Sequence, residues 1–119
     1  MIVQDGMVTW ESNRSRDLEV VVGTALNTLG APAGCQPLTW EIAAEIGTSG
    51  GFSGAAHNYS ETEIPRVLRT WADLLGLTPV IPPSTGGGTV EYSGLVENAL
   101  FLQVWGVIDT AFFDIAGEL

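Results

Sequence analysis

Ala99-Leu100-Phe101-Leu102-Gln103-Val104-Trp105-Gly106-Val107 carries a single polar side chain, Gln103. The run is too short to cross a bilayer as a helix. Its branched and aromatic residues suit a strand buried on most of both faces. A strand of that kind needs neighbours on either side and a second layer above it, so the stretch predicts a sheet with helices packed on it.

Reading outward, residues 108–116 continue as a last strand, with Asp109 near the turn. Thr89 to Tyr92 forms a short strand before the run. Pro82-Pro83-Ser84-Thr85-Gly86-Gly87-Gly88 reads as a flexible surface loop. Further upstream, Ser60-Glu61-Thr62-Glu63 has the spacing of a capping box, in which Ser60 caps and Glu63 reaches back. Ile64, Val67, Leu68, Trp71, Leu74 and Leu75 follow as a helical stripe. Pro65 is harmless in the first turn, Gly76 ends the helix and Pro79 prevents its return.

The N-terminal half is a helix and a hairpin. Leu18, Val21, Val22, Ala25, Leu26 and Leu29 recur at helical spacing, predicting a helix from about residue 10 to 29 with this stripe inward. Ser12 or Ser15 can cap it, Asp17 and Glu19 suit its positive end, and Gly30 and Pro32 stop it. Residues 31–37 connect. Leu38, Trp40, Ile42, Ala44 and Ile46 then alternate with Thr39, Glu41, Ala43 and Glu45, which is a strand with one wet face. Thr48 to Gly51 is a turn, and Phe52 to Tyr59 returns as the second strand of a hairpin. The order α-β-β-α-β-β-β describes an α+β two-layer sandwich. Both helices lie on one face of a mostly antiparallel sheet, and the aromatics Phe101, Trp105, Phe112 and Phe113 are free to surface on the other.

The chain is one domain of 119 residues, with residues 1–8 read as a tag or flexible N-terminus. Four arginines and no lysine stand against fourteen acidic residues, for a net charge of −10. Such a surface is a poor match for nucleic acid or for anionic lipid. It leaves a basic protein, a cation or a neutral surface as partner. No apolar stretch is long enough for a membrane span, and Met1 to Gly6 lacks the features of a signal peptide. The chain is therefore either cytosolic or the mature part of a longer one. Cys35 is the sole cysteine, so no disulfide forms within the chain, and the ordinary role of such a residue is a small buried apolar one.

The search for chemistry yields no catalytic residue, no metal ligand set and no cofactor motif. His57 is the only histidine, and a catalytic one needs an orienting carboxylate and a nucleophile. His57 and Cys35 are too few for zinc. Gly47 to Gly54 lacks the lysine and the following helix of a phosphate loop. Interaction remains. Glu41 and Glu45 share a strand face and, with Glu61 and Glu63, form a candidate acidic surface for a basic target. Trp105 and Phe112 are candidates for an apolar patch serving a protein partner or self-association.

Several segments resemble the LppA-like lipoproteins of actinobacteria. These are an amphipathic helix followed by Gly-Cys-Gln-Pro-Leu-Thr (34–39), then Phe-Ser-Gly-Ala (52–55) and a Tyr-Ser-Glu-Thr-Glu lead into a Trp-bearing helix. That helix ends Leu-Gly-Leu-Thr (75–78), and Leu-Phe-Leu-Gln-Val (100–104) and Ala-Phe-Phe-Asp-Ile-Ala-Gly (111–117) complete the set. The resemblance implies a non-catalytic α+β domain of the cell envelope. Where it implies a closing Gly followed by a cysteine able to pair with Cys35, Gly117-Glu118-Leu119 stands. The same element order also describes phage tail-terminator and head–tail joining proteins, which assemble as rings and would lie in the cytoplasm or the virion. Strand addition between subunits would serve that assembly. A third reading is a small inhibitor or immunity-type protein with an acidic binding face.

Overall fold

The computed structural model describes residues 2–42, 51–98 and 100–113, with the backbone alone for residues 2–15. The elements are α1 (Ile2–Gly30), a 3-10 turn (Ala31–Ala33), β1 (Thr39–Ile42), β2 (Gly51–Ala55), α2 (Ile64–Leu75), β3 (Thr78–Pro79), β4 (Thr89–Val96) and β5 (Leu100–Val107). The fold is α+β: a five-stranded mixed sheet in the order β1-β2-β5-β4-β3, with helices packed against it. The apolar run before Ile108 forms β5, the middle strand. It lies parallel to β2 and antiparallel to β4. Glu97 and Asn98, both with φ of 55°, turn the chain from β4 towards β5, a left-handed conformation that Asn tolerates better than most residues.

Register divides the sheet into two unlike faces, because neighbouring side chains alternate. One face carries Trp40, Phe52, Gly54, Leu102, Val104 and Gly106, in line across the strands. Ile64, Val67, Leu68 and Trp71 of α2 and Leu26 of α1 complete its core. Both helices therefore lie on one face, as expected. The opposite face carries Glu41, Ser53, Gln103, Glu91 and Thr89.

Helix α2 forms as its local signals dictate. Ser60 and Glu63 make the reciprocal box: the Glu63 amide donates to Ser60 Oγ at 3.2 Å, and the Ser60 amide to Glu63 Oε1 at 3.0 Å. Gly76 closes the helix at φ 71°.

Other expectations are corrected. Helix α1 begins at Ile2 instead of about residue 10, so Ser12 and Ser15 lie inside it and do not cap it. Its apolar stripe does not all face inward: Leu18, Val21 and Leu29 are 49, 63 and 57 % exposed, and Ala25 is exposed too. Over residues 16–30 the buried residues are Gly23, Leu26 and Gly30, with Glu19, Val22 and Asn27 half-buried beside them. Close approach selects this face. A Cβ on Gly30 would lie 2.5 Å from the Trp71 ring, and one on Gly23 3.2 Å from Trp40 Cβ. The first strand ends its described length at Ile42, and Glu45 lies outside the described residues. The second ends at Ala55 and leaves His57 in a turn; β4 runs to Val96 instead of Tyr92. Residues 110–113 are helical, so the expected strand over 108–116 is not formed there. The Asp109 carboxylate accepts the Phe112 amide at 3.0 Å, which is how an aspartate starts a helical turn. The pair Thr78–Pro79 supplies an edge strand that the sequence did not suggest.

Both sheet edges are blunted among the described residues. On β1, α1 side chains occupy the outer main-chain groups. Asn27 accepts the Leu38 amide at 3.0 Å and donates to the Leu38 carbonyl at 3.1 Å, and Glu19 accepts the Ile42 amide at 2.8 Å. On β3, Pro79 has no amide to offer.

The loop over 82–88 is not free-standing. The Glu91 carboxylate, 4 % exposed, accepts the Ser84 and Thr85 amides at 2.7 and 3.1 Å and the Ser84 hydroxyl at 2.9 Å. Gln103 Nε2 donates to it at 2.8 Å, and Gln103 in turn accepts the Ser53 hydroxyl at 2.7 Å. A buried carboxylate is tolerable only with such a set of donors.

Asn27 also accepts the indole N–H of buried Trp40 at 3.0 Å. Asn27→Ala should destabilise the protein by about 1–3 kcal/mol, the cost of orphaning buried donors. Gly54→Ala, whose new Cβ would lie 2.8 Å from the Trp40 ring, should cost about 1–3 kcal/mol through overpacking. Urea titration of both variants measures this, with Thr28→Ala on exposed helix surface as a control near zero.

Candidate functional site

The ends of β2 and β5 bring together residues far apart in sequence. Past Ala55 the chain turns through His57 and Tyr59 towards α2. Past Val107 it turns through Asp109 into the helical turn 110–113. Between these two turns lies a cleft of about 160 Å³, walled by His57, Tyr59, Glu61, Trp105 and Thr110, with Ile64 among its apolar residues.

Each wall residue is held by an identifiable contact. Glu61 Oε1 accepts the Thr110 amide at 2.6 Å and the Thr110 hydroxyl at 2.9 Å, tying the lead into α2 to the last helical turn. The Tyr59 hydroxyl donates to the Pro37 carbonyl at 2.7 Å. Burial, and secondarily the Glu63 charge, push the Tyr59 phenol above its ordinary range. The His57 and Trp105 rings meet edge-on, with centroids 6.1 Å apart at 86°. Trp105 sits on the polar face of the sheet and is half-buried, outside the core between sheet and helices.

Of the residues singled out from sequence, Glu61 and Trp105 come together here. Phe112, two positions past Thr110, is 55 % exposed, with its ring resting where a Cβ on Gly87 would stand. Glu63 is exposed and engaged by Ser60. Glu41 is exposed on edge strand β1, away from the cleft walls. The sequence did not point to His57, Tyr59 or Thr110 as parts of one site, because only the parallel β2–β5 pairing unites their segments.

A second concavity, about 450 Å³ and open, lies between α1 and β1, with Glu19, Val20, Thr24, Trp40 and Glu41 on its walls. Cys35 is a buried free thiol against Gly30, and burial raises its pKa. Among the described residues no group of three His, Cys, Asp or Glu side chains could hold a metal ion, and no helix is long and apolar enough to cross a membrane.

The chain matches no family model, and neither curated proteins nor solved structures yield a significant match.

Hydrogen bonds from the Ser60 amide and hydroxyl, the two largest influences, hold the Glu63 carboxyl below its ordinary value of 4.5. A carboxyl depressed in the folded state stabilises above the unfolded pKa, and that contribution is lost as pH falls through the folded one. The stability gap between the native protein and Glu63→Gln should therefore be full near neutrality and narrow below about pH 4.5. Urea midpoints across the acid range measure it.

Proposed function

We propose that this chain is a non-catalytic acidic protein-binding domain and that the surface around the Glu61–Trp105 cleft is its binding site. One observation carries the reading: an indole from β5 and an imidazole, a phenol and a carboxylate from the connection between β2 and α2 wall one small cleft. Aromatic residues that are half-buried and rimmed by polar groups are what protein interfaces concentrate. A non-catalytic role is supported by the neighbours of His57, which packs on an indole, while the carboxylate of the cleft serves Thr110. The similarity at 34–39, 52–55 and 100–104 supports a setting in the actinobacterial envelope for such a domain.

Selection of a random peptide library on the immobilised protein tests the reading. A consensus peptide that binds at least about tenfold more tightly to the native protein than to a folded Trp105→Ser variant is the expected result. Failure to enrich any consensus, or equal binding to both proteins, rejects the cleft as a protein-binding site.

A second reading, a self-assembling structural subunit of the phage joining class, draws on the exposed aliphatics of α1. Leu18, Val20, Val21 and Leu29 are all about half exposed or more. The blunted edges of β1 and β3 favour helix packing over strand addition as its contact mode. Light scattering on a sizing column distinguishes the two readings. A mass near 12.6 kDa at low and high salt rules assembly out. A discrete multiple that survives high salt and reverts to monomer in Val21→Glu establishes it.

A further inference from the structure

We propose that the cleft between the two turns receives the side chain of an arginine presented by a basic protein partner, an inference that rests on the binding role assigned above. Size is the first argument. About 160 Å³ falls well below the ~300 Å³ at which sites for drug-sized ligands begin, which suits one long side chain better than a larger ligand.

Chemistry is the second argument. Among the described residues the wall has one carboxylate, Glu61, and no arginine. Both Thr110 bonds fall on Glu61 Oε1. Oε1 is thereby fixed in place, and Oε2 is left as the acceptor for an incoming donor. A planar guanidinium donates to a carboxylate in a fixed fork and also packs on aromatic planes, which an ammonium does less well. Trp105 and Tyr59 supply those rings on the same wall.

The whole molecule points the same way. A net charge of −10 with no lysine draws cationic partners and repels anionic ones before contact. Glu61 converts that diffuse attraction into an address, because it is the carboxylate on the described walls of the cleft.

The test compares two synthetic peptides, acetyl-Gly-Ser-Arg-Gly-Ser-amide and the same peptide with citrulline, the neutral isostere, in place of arginine. Each is titrated into isotope-labelled protein at one fixed pH. The readouts are the Trp105 indole N–H and the His57 ring signals. The arginine peptide should shift both saturably and bind about tenfold more tightly than the citrulline peptide, the scale of one charge-assisted hydrogen bond. Glu61→Gln keeps an acceptor for Thr110 and removes the charge, and it should abolish that preference. Equal binding of the two peptides, no shift of Trp105, or a preference that survives Glu61→Gln overturns the proposal. An arginine-free library consensus that still requires Trp105 would overturn the arginine assignment alone and leave the binding role standing. The absence of any consensus would remove the role itself.

Discussion

Trp40 is the piece on which the two helices and the sheet are aligned. Its indole lies in a slot made by two missing side chains, Gly23 on α1 and Gly54 on β2. The ring meets Trp71 of α2 edge-on at 5.5 Å and 76°. Its N–H is held by Asn27, and the Trp71 N–H donates to the Gln36 carbonyl at 2.7 Å. Two large aromatic surfaces are thus buried with both polar ends satisfied, which is the condition under which tryptophan suits a core. Asn27 reaches Leu38 as well as Trp40, so one amide fixes both the depth and the rotation of α1 against β1. Gly30 sits where the end of α1 meets Trp71 and Cys35, with no room for a methyl group.

Concentrating the apolar contacts on one face leaves the other face free for polar architecture. There Ser53, Gln103 and Glu91 run as a hydrogen-bonded line across three adjacent strands and end in the loop at Ser84 and Thr85. No buried side-chain polar atom among the described residues lacks a partner. A satisfied network of this kind is rigid, because each group is held by the next. The same face carries Trp105, and the chain leaves both β2 and β5 at that end of the sheet. Site and scaffold therefore share a strand, which is why a half-buried indole is presented in a fixed pose.

What the sequence disclosed follows from how local each cause is. The box at Ser60–Glu63 and the stop at Gly76 act within a few residues, and α2 was readable from them. The run at 99–107 announced the central strand because no other arrangement buries it on both sides. The inward face of α1 was misread because hydrophobicity favoured Leu18, Val21 and Leu29, whereas docking is decided by how near two backbones can come, which Gly23 and Gly30 allow. Residues 110–113 were misread because a short apolar run carries no period, although Asp109 at the start was an available sign. The part played by Glu91 was invisible, since nothing near it marks it as an anchor for residues 84 and 85. Glu61 and Trp105 could each be named from sequence, but their meeting depends on a parallel pairing between segments about fifty residues apart.

The two blunt edges of the sheet are protected in different ways. Pro79 removes a donor from β3 covalently, and no motion of the fold can restore it. On β1 the protection is borrowed: the carboxylate of Glu19 and the amide of Asn27 belong to α1, and they shield the strand only while that helix stays seated. A partly opened molecule that keeps its sheet but sheds α1 would expose Leu38 and Ile42 as a sticky ribbon, the sort of surface that seeds edge-to-edge aggregation. Along that route, resistance to aggregation would depend on the grip of one helix before it depended on the strength of the whole fold.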